Sequence, residues 1–123
     1  MKILIVDDSG LSRKMLLRKI PESIKESSEI YQGKNGQEGL DLYKENKPDI
    51  VFLDLTMPVM DGFEALYEII SYDKKAFVIV VSADIQAKAK ERVLSLGARY
   101  MEHKPITSER LGYIFQSLNW NKI

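Results

Sequence analysis

Ile50-Val51-Phe52-Leu53-Asp54-Leu55-Thr56-Met57-Pro58-Val59-Met60-Asp61-Gly62 is the stretch on which the reading of this chain turns. Ile50–Leu53 is a short apolar run without polar alternation, stopped by an aspartate. Uninterrupted apolar runs of this length belong to parallel strands covered by helices on both faces. Pro58 and Asp61-Gly62 then mark a loop, because proline presets one backbone angle and Asp-Gly favours turns. A helix follows at about Phe63–Ser71.

The same alternation extends in both directions. Upstream lie a strand at Ile3–Val6, a helix at Leu11–Ile20, a weaker strand at Glu29–Gln32 and a helix at Gln37–Asn46. Leu11, Met15, Leu16 and Ile20 recur at helical spacing in the first helix, and Leu40 and Tyr43 point inward from the second. Asn35-Gly36 reads as a structural turn, and Pro48 ends the second helix. Downstream come a strand at Phe77–Val81, a helix at Ala87–Leu96 closed by Gly97, a poorer strand at Tyr100–His103 and a helix from Ser108 to Leu118 capped by Thr107 or Ser108. Leucine, methionine and aromatic positions on these helices are read as core. The pattern is α/β, five βα units in one domain over 1–123, and right-handed crossovers make it a doubly wound parallel sheet.

Bulk properties narrow the function. The 18 basic and 18 acidic residues cancel, which argues against a nucleic-acid or anionic-membrane binder. No cysteine is present, and His103 is the single histidine, so thiolate and multi-histidine metal sites are excluded. No apolar run approaches the roughly 18 residues that span a bilayer, and Met1–Asp8 does not resemble a signal peptide, so a cytoplasmic chain is expected.

Doubly wound sheets bind ligands beyond the carboxyl ends of their strands. Asp7 and Asp8 follow the first strand here, Asp54 the third, Ser82 the fourth and Lys104 the fifth. Alone, each admits an ordinary reading as strand end, turn, structural hydroxyl or solvated lysine; Asp61 and His103 keep such readings. Together they form a chemical set. Clustered carboxylates need a cation, and without nitrogen or sulfur ligands that cation is hard, with Mg²⁺ the natural choice. A carboxylate so placed can attack phosphorus, while Lys104 and the Ser82 hydroxyl would neutralise charge on the transferred group.

At these residues the chain resembles the receiver domain of two-component response regulators, most of all the single-domain chemotaxis (CheY-like) regulators. The matching segments are Ile5-Val6-Asp7-Asp8-Ser9, Asp54 through Gly62, Val81-Ser82-Ala83, and Gly97-Ala98 with Lys104-Pro105. The resemblance implies a flavodoxin-like sheet of order 2-1-3-4-5. It implies Asp54 as phosphoacceptor and Mg²⁺ on Asp8, Asp54 and the Thr56 carbonyl, with Asp7 assisting. Ser82 and Ala83, with Lys104 and Pro105, would form the phosphate-binding switch, with a cis Lys104–Pro105 bond. Thr56 and Asp84 would tune the phosphoryl lifetime. The phosphodonor would be a sensor histidine kinase. With no effector module following, output would pass from a monomer to a protein effector or phosphatase through the helix at Ala87–Leu96, the strand at Tyr100–His103 and the final helix.

The chain departs from the family pattern near its end. Three residues before the lysine, where an aromatic switch is usual, stands Met101; Tyr100 lies one residue earlier and is the other candidate. Glu102 puts a charge in a strand that is usually apolar. Three competing functions fit these residues less well. A Mg²⁺-dependent phosphohydrolase would want a second aspartate at Thr56, a flavodoxin-like cofactor binder a phosphate loop where Asp7-Asp8 stand, and a vestigial interaction scaffold a degraded site.

Overall fold

The computed structural model describes residues 1–83 and 86–122, with side chains as far as residue 119. In chain order the elements are β1 (Lys2–Val6), α1 (Gly10–Lys19), α2 (Glu22–Glu26), β2 (Glu29–Gly33), α3 (Gly36–Asn46), β3 (Ile50–Asp54), α4 (Gly62–Tyr72), β4 (Val78–Ser82), α5 (Ala87–Ser95), β5 (Tyr100–His103) and α6 (Ser108–Lys122). Among the described residues the strands form one five-stranded sheet of order β2-β1-β3-β4-β5, and every pairing is parallel. This is the doubly wound sheet expected from the apolar runs, in the flavodoxin-like order that the family resemblance implies.

Strand side chains alternate between two cores because successive residues point to opposite faces. Ile3, Ile5, Ile50, Phe52, Ile79 and Val81 pack with Leu16 and Ile20 of α1 and Leu111, Ile114 and Phe115 of α6. Leu4, Val6, Val51, Leu53, Val78 and Val80 pack with Leu40 and Tyr43 of α3, Leu66 and Ile69 of α4 and Val93 of α5. Both faces of β1, β3 and β4 are thus buried, which is why their sequences read as unbroken hydrophobic runs.

Several helix details differ from expectation. The five-residue α2, which begins after Pro21, is too short to show a periodic pattern. Leu11 and Met15 are 67% and 40% exposed rather than core. At about 100° per residue they lie about 100° to 180° around the helix from Leu16 and Ile20, which take the buried stripe. Tyr67, Tyr72, Leu94 and Tyr113 are likewise exposed helix residues. Asn35 is a helix cap and not a turn residue: its side chain accepts from the Glu38 amide at 2.8 Å, while the Glu38 carboxylate accepts from the Lys34 amide at 3.0 Å. Thr107 caps α6 by accepting from the Arg110 amide at 3.1 Å.

Two glycines let the β3–α4 connection close over the strand ends. The Gly36 amide donates to the Met60 carbonyl at 3.0 Å, so tightly that a β-carbon there would lie 2.2 Å from that oxygen. The Gly62 amide donates to the Leu55 carbonyl at 2.8 Å, and a β-carbon at Gly62 would lie 2.1 Å from the Asp54 carbonyl oxygen. Backbone cannot yield as a flexible side chain would, so Gly62→Ala must displace the segment that carries Asp54. The expected cost is about 3 kcal/mol, read from urea denaturation, against about 1 kcal/mol for a typical substitution.

Candidate functional site

The site lies at the carboxyl ends of β1, β3 and β4, where parallel pairing of Val6 with Leu53 and of Asp54 with Val81 sets the strand ends level. Asp7 and Asp54 are 6% and 7% exposed, Ser82 is buried, and Asp8 is exposed. Carboxylate oxygens of Asp7, Asp8 and Asp54 all lie within 4.8 Å of one another. Lys104 reaches in from beyond β5, its Nζ donating to Asp7 Oδ2 at 2.7 Å and lying 3.3 Å from Asp54 Oδ1. The Lys104 amide donates to the Ser82 carbonyl at 2.9 Å, tying the lysine's loop to the end of β4.

Local hydrogen bonds hold the acidic end of β1. Asp7 Oδ1 accepts from the Ser9 amide at 3.0 Å, and Ser9 Oγ caps α1 by accepting from the Ser12 amide at 3.1 Å. Arg13 donates to the Asp7 carbonyl through Nη1 and to Gln32 Oε1 of β2 through Nε. Beyond β3, Val59 adopts φ 71°, and the Met60 amide donates back to the Pro58 carbonyl at 2.8 Å. Positive φ in a β-branched residue is a strained conformation, held in the loop that covers the site.

Burial raises the proton affinity of Asp54, the charge of Asp7 raises it further, and Lys104 only partly opposes them. Lys104 is held above the ordinary lysine range although burial pulls it down, because the Asp7 hydrogen bond and the Asp54 charge outweigh desolvation. Three carboxylates face one ammonium, so negative charge remains in excess. The donors are all oxygen, and one acidic group is exposed enough to be reached from solvent. Such a set fits a small hard divalent cation.

Of the other residues singled out in the sequence, Thr56 and Ala83 are exposed, in the loop after β3 and just past the end of β4. The Lys104–Pro105 peptide is cis. Asp84 lies outside the described residues. Tyr100 and Met101 do not share a face. Met101 packs with the core beneath α3, α4 and α5, and Tyr100 with the core beneath α1 and α6. Tyr100 donates to or accepts from Ser117 Oγ at 2.8 Å and makes edge contacts with Phe77 and Tyr113. Glu102 receives two hydrogen bonds of 2.8 Å from Arg110 of α6, a forked pair that explains a charge on an edge strand. That pair and the Arg13 contacts join residues on different elements, and no short motif announces them.

The fold and this cluster define a class: a doubly wound domain with an acidic pocket and one lysine at its switch point. Residues 3–116 match the response regulator receiver domain family. The chain is 39% identical to the chemotaxis protein CheY of Listeria monocytogenes over 111 residues, which are 90% of this chain and 92% of that protein. It is 36% identical to protein CcdB of Bacillus subtilis over 112 residues, 89% of this chain and 90% of that one. Among solved structures, a CheX–CheY–BeF₃–Mg²⁺ complex from Borrelia burgdorferi superposes with a TM-score of 0.86 at 33% identity, covering 97% of this chain and 89% of that one. The chain belongs to the response regulator receiver family, of the CheY type, and its function is phosphorelay signal transduction. Receivers act as phosphoaccepting switches. Among the described residues, no helix is long and apolar enough to cross a membrane.

The charge balance sets a pH dependence for the protein without divalent ions. The folded state binds the Asp54 proton more tightly than the unfolded chain does, so stability falls as pH rises through the Asp54 titration. In EDTA at pH 7, Asp54→Asn is expected to melt a few degrees above the wild type. The difference should shrink as pH is lowered into the carboxylate range and wild-type Asp54 takes up its proton.

Proposed function

We propose that Asp54 is the phosphoacceptor and that Asp7, Asp8, Asp54 and the Thr56 backbone carbonyl hold Mg²⁺. The observation that carries this reading is the convergence of Asp7, Asp8 and Asp54 on one point with Lys104 between two of them. Bound Mg²⁺ supplies positive charge that neutralises phosphoryl oxygens and lowers the repulsion among the carboxylates.

The chain's own groups do the rest. An Asp54 carboxylate oxygen attacks phosphorus of a kinase phosphohistidine; the P–O bond forms as the P–N bond breaks, and the imidazole nitrogen leaves with the electron pair. Lys104 shifts from Asp7 toward the phosphoryl oxygens, and the Ser82 hydroxyl, at the end of β4 with Ala83 beside it, hydrogen-bonds another. Pro105 shapes the loop from which Lys104 extends. Positioning and charge neutralisation are the main demands that phosphoryl transfer makes of a protein. In this sense the domain promotes its own phosphorylation and dephosphorylation, with Thr56 and Asp84 tuning attack by water. A hydrolase reading would need a proton-donating aspartate where exposed Thr56 stands.

Phosphorylation adds roughly 1.5 to 2 negative charges and three acceptor oxygens at one spot. Movement of Ser82 and Lys104 toward them would bias α5, β5 and α6, with Met101 the side chain placed to repack against α5. The partners would be a sensor histidine kinase and a protein effector or phosphatase, and the relatives named chemotaxis proteins point to that pathway. In this reading residues 1–123 act as one cytoplasmic, monomeric receiver.

The test is incubation with Mg²⁺ and acetyl phosphate followed by mass spectrometry. One phosphoryl group on the peptide containing Asp54 is expected, with none on Asp54→Asn. Unlabelled wild type, or equal labelling of the variant, would overturn the assignment.

A further inference from the structure

A cavity of about 260 Å³ opens beside Asp54, between α1 and the loop that follows β5. Met15, Leu16 and Phe52 line it together with Asp7, Asp54 and Lys104. Pro105 and Ile106 also line it, so the segment carrying Lys104 borders the hollow, with the Ile106 side chain seated in the core shared with α1 and α6. Within that segment Pro105 has no amide hydrogen to offer as an anchor.

A long-range contact other than Lys104–Asp7 also joins two lining residues. Lys19, in the last turn of α1, donates from Nζ to the Ile106 carbonyl at 2.9 Å, across 87 residues of sequence. Lys19 also lines the cavity, so its ammonium bridges the two walls. Lys104 must leave a 2.7 Å contact with Asp7 to serve a phosphoryl group at Asp54. That small movement is useful only if the backbone from which it starts stays in place, because misplacement by about 1 Å can cost about a hundredfold in rate.

We propose that Lys19 is a positioning residue for phosphoryl transfer: by holding the Ile106 carbonyl across the cavity, it fixes the loop from which Lys104 reaches Asp54. The inference rests on Asp54 being the phosphoacceptor. The plainer role for Lys19 is a cation at the C-terminus of α1, favoured by the helix dipole. Arg18 shares that turn and that charge, so the two roles can be separated.

The experiment compares Lys19→Met, Lys19→Arg and Arg18→Met with the wild type in Mg²⁺ and acetyl phosphate. Lys19→Met is expected to label about tenfold more slowly, whereas Lys19→Arg, which can still reach the carbonyl, and Arg18→Met should stay within about twofold. In metal-free, unphosphorylated protein, hydrogen exchange over residues 104–107 should quicken in Lys19→Met alone. Mg²⁺ affinity should be unchanged in all three, since none of them alters a carboxylate of the cluster. Labelling of Lys19→Met at the wild-type rate, an equal loss in Arg18→Met, or unchanged exchange would overturn the inference while leaving Asp54 as acceptor. A wild type that does not label would overturn both.

Discussion

Asp7 and Asp54 are two buried carboxylates held at the ends of neighbouring strands, with Asp8 close by, and the site depends on how their mutual repulsion is balanced. Burial and the neighbouring Asp7 charge disfavour the ionised form of Asp54. A single ammonium, brought 97 residues along the chain from Asp7, bridges two of the three. The balance is incomplete. An acidic excess in a pocket reached from solvent through Asp8 favours a cation, and under the proposed function a phosphoryl group added at Asp54 would rearrange the same charges. Switching and ion binding would then be two responses to one electrostatic imbalance.

The sheet supplies the rigidity this balance needs. β1, β3 and β4 are buried on both faces and paired in register, so the aspartates stand at the ends of fully packed strands. The mobile tasks fall on the connections. Gly62 lets the β3–α4 loop fold back onto Asp54, and Lys104 is tied to β4 through the Ser82 carbonyl. α6 is clasped to the edge strand by Arg110 on Glu102 and by Tyr100 on Ser117. A change at Ser82 or Lys104 therefore meets packed elements with few ways to move.

The sequence carried the sheet because two-sided burial demands unbroken apolar runs, and β1, β3 and β4 show them. A parallel sheet gathers the residues just past its strand ends, so the strand pattern grouped Asp7, Asp8, Asp54 and Lys104, which the structure brings together, with Ser82 at the end of β4. Less was legible on the helices. Leu11 and Met15 share a helical period with Leu16 and Ile20 but not a face, and only packing against the sheet decides which stripe is buried. Asn35 reads as a turn unless the reciprocal bond through Glu38 is known. Glu102 stands out as a charge in a strand and Lys19 carries no signal, because their partners, Arg110 and the Ile106 carbonyl, lie on other elements and one is backbone. Side-chain-to-backbone contacts over 87 residues leave no pattern in composition or spacing.

Calorimetric titration of Mg²⁺ into the unphosphorylated protein and into Asp8→Asn tests most directly whether the three carboxylates form one cation site. One ion per chain is expected for the wild type, with affinity lowered at least about tenfold, or ~1.4 kcal/mol, in Asp8→Asn. Equal binding by both proteins, or no saturable binding by the wild type, would contradict the account.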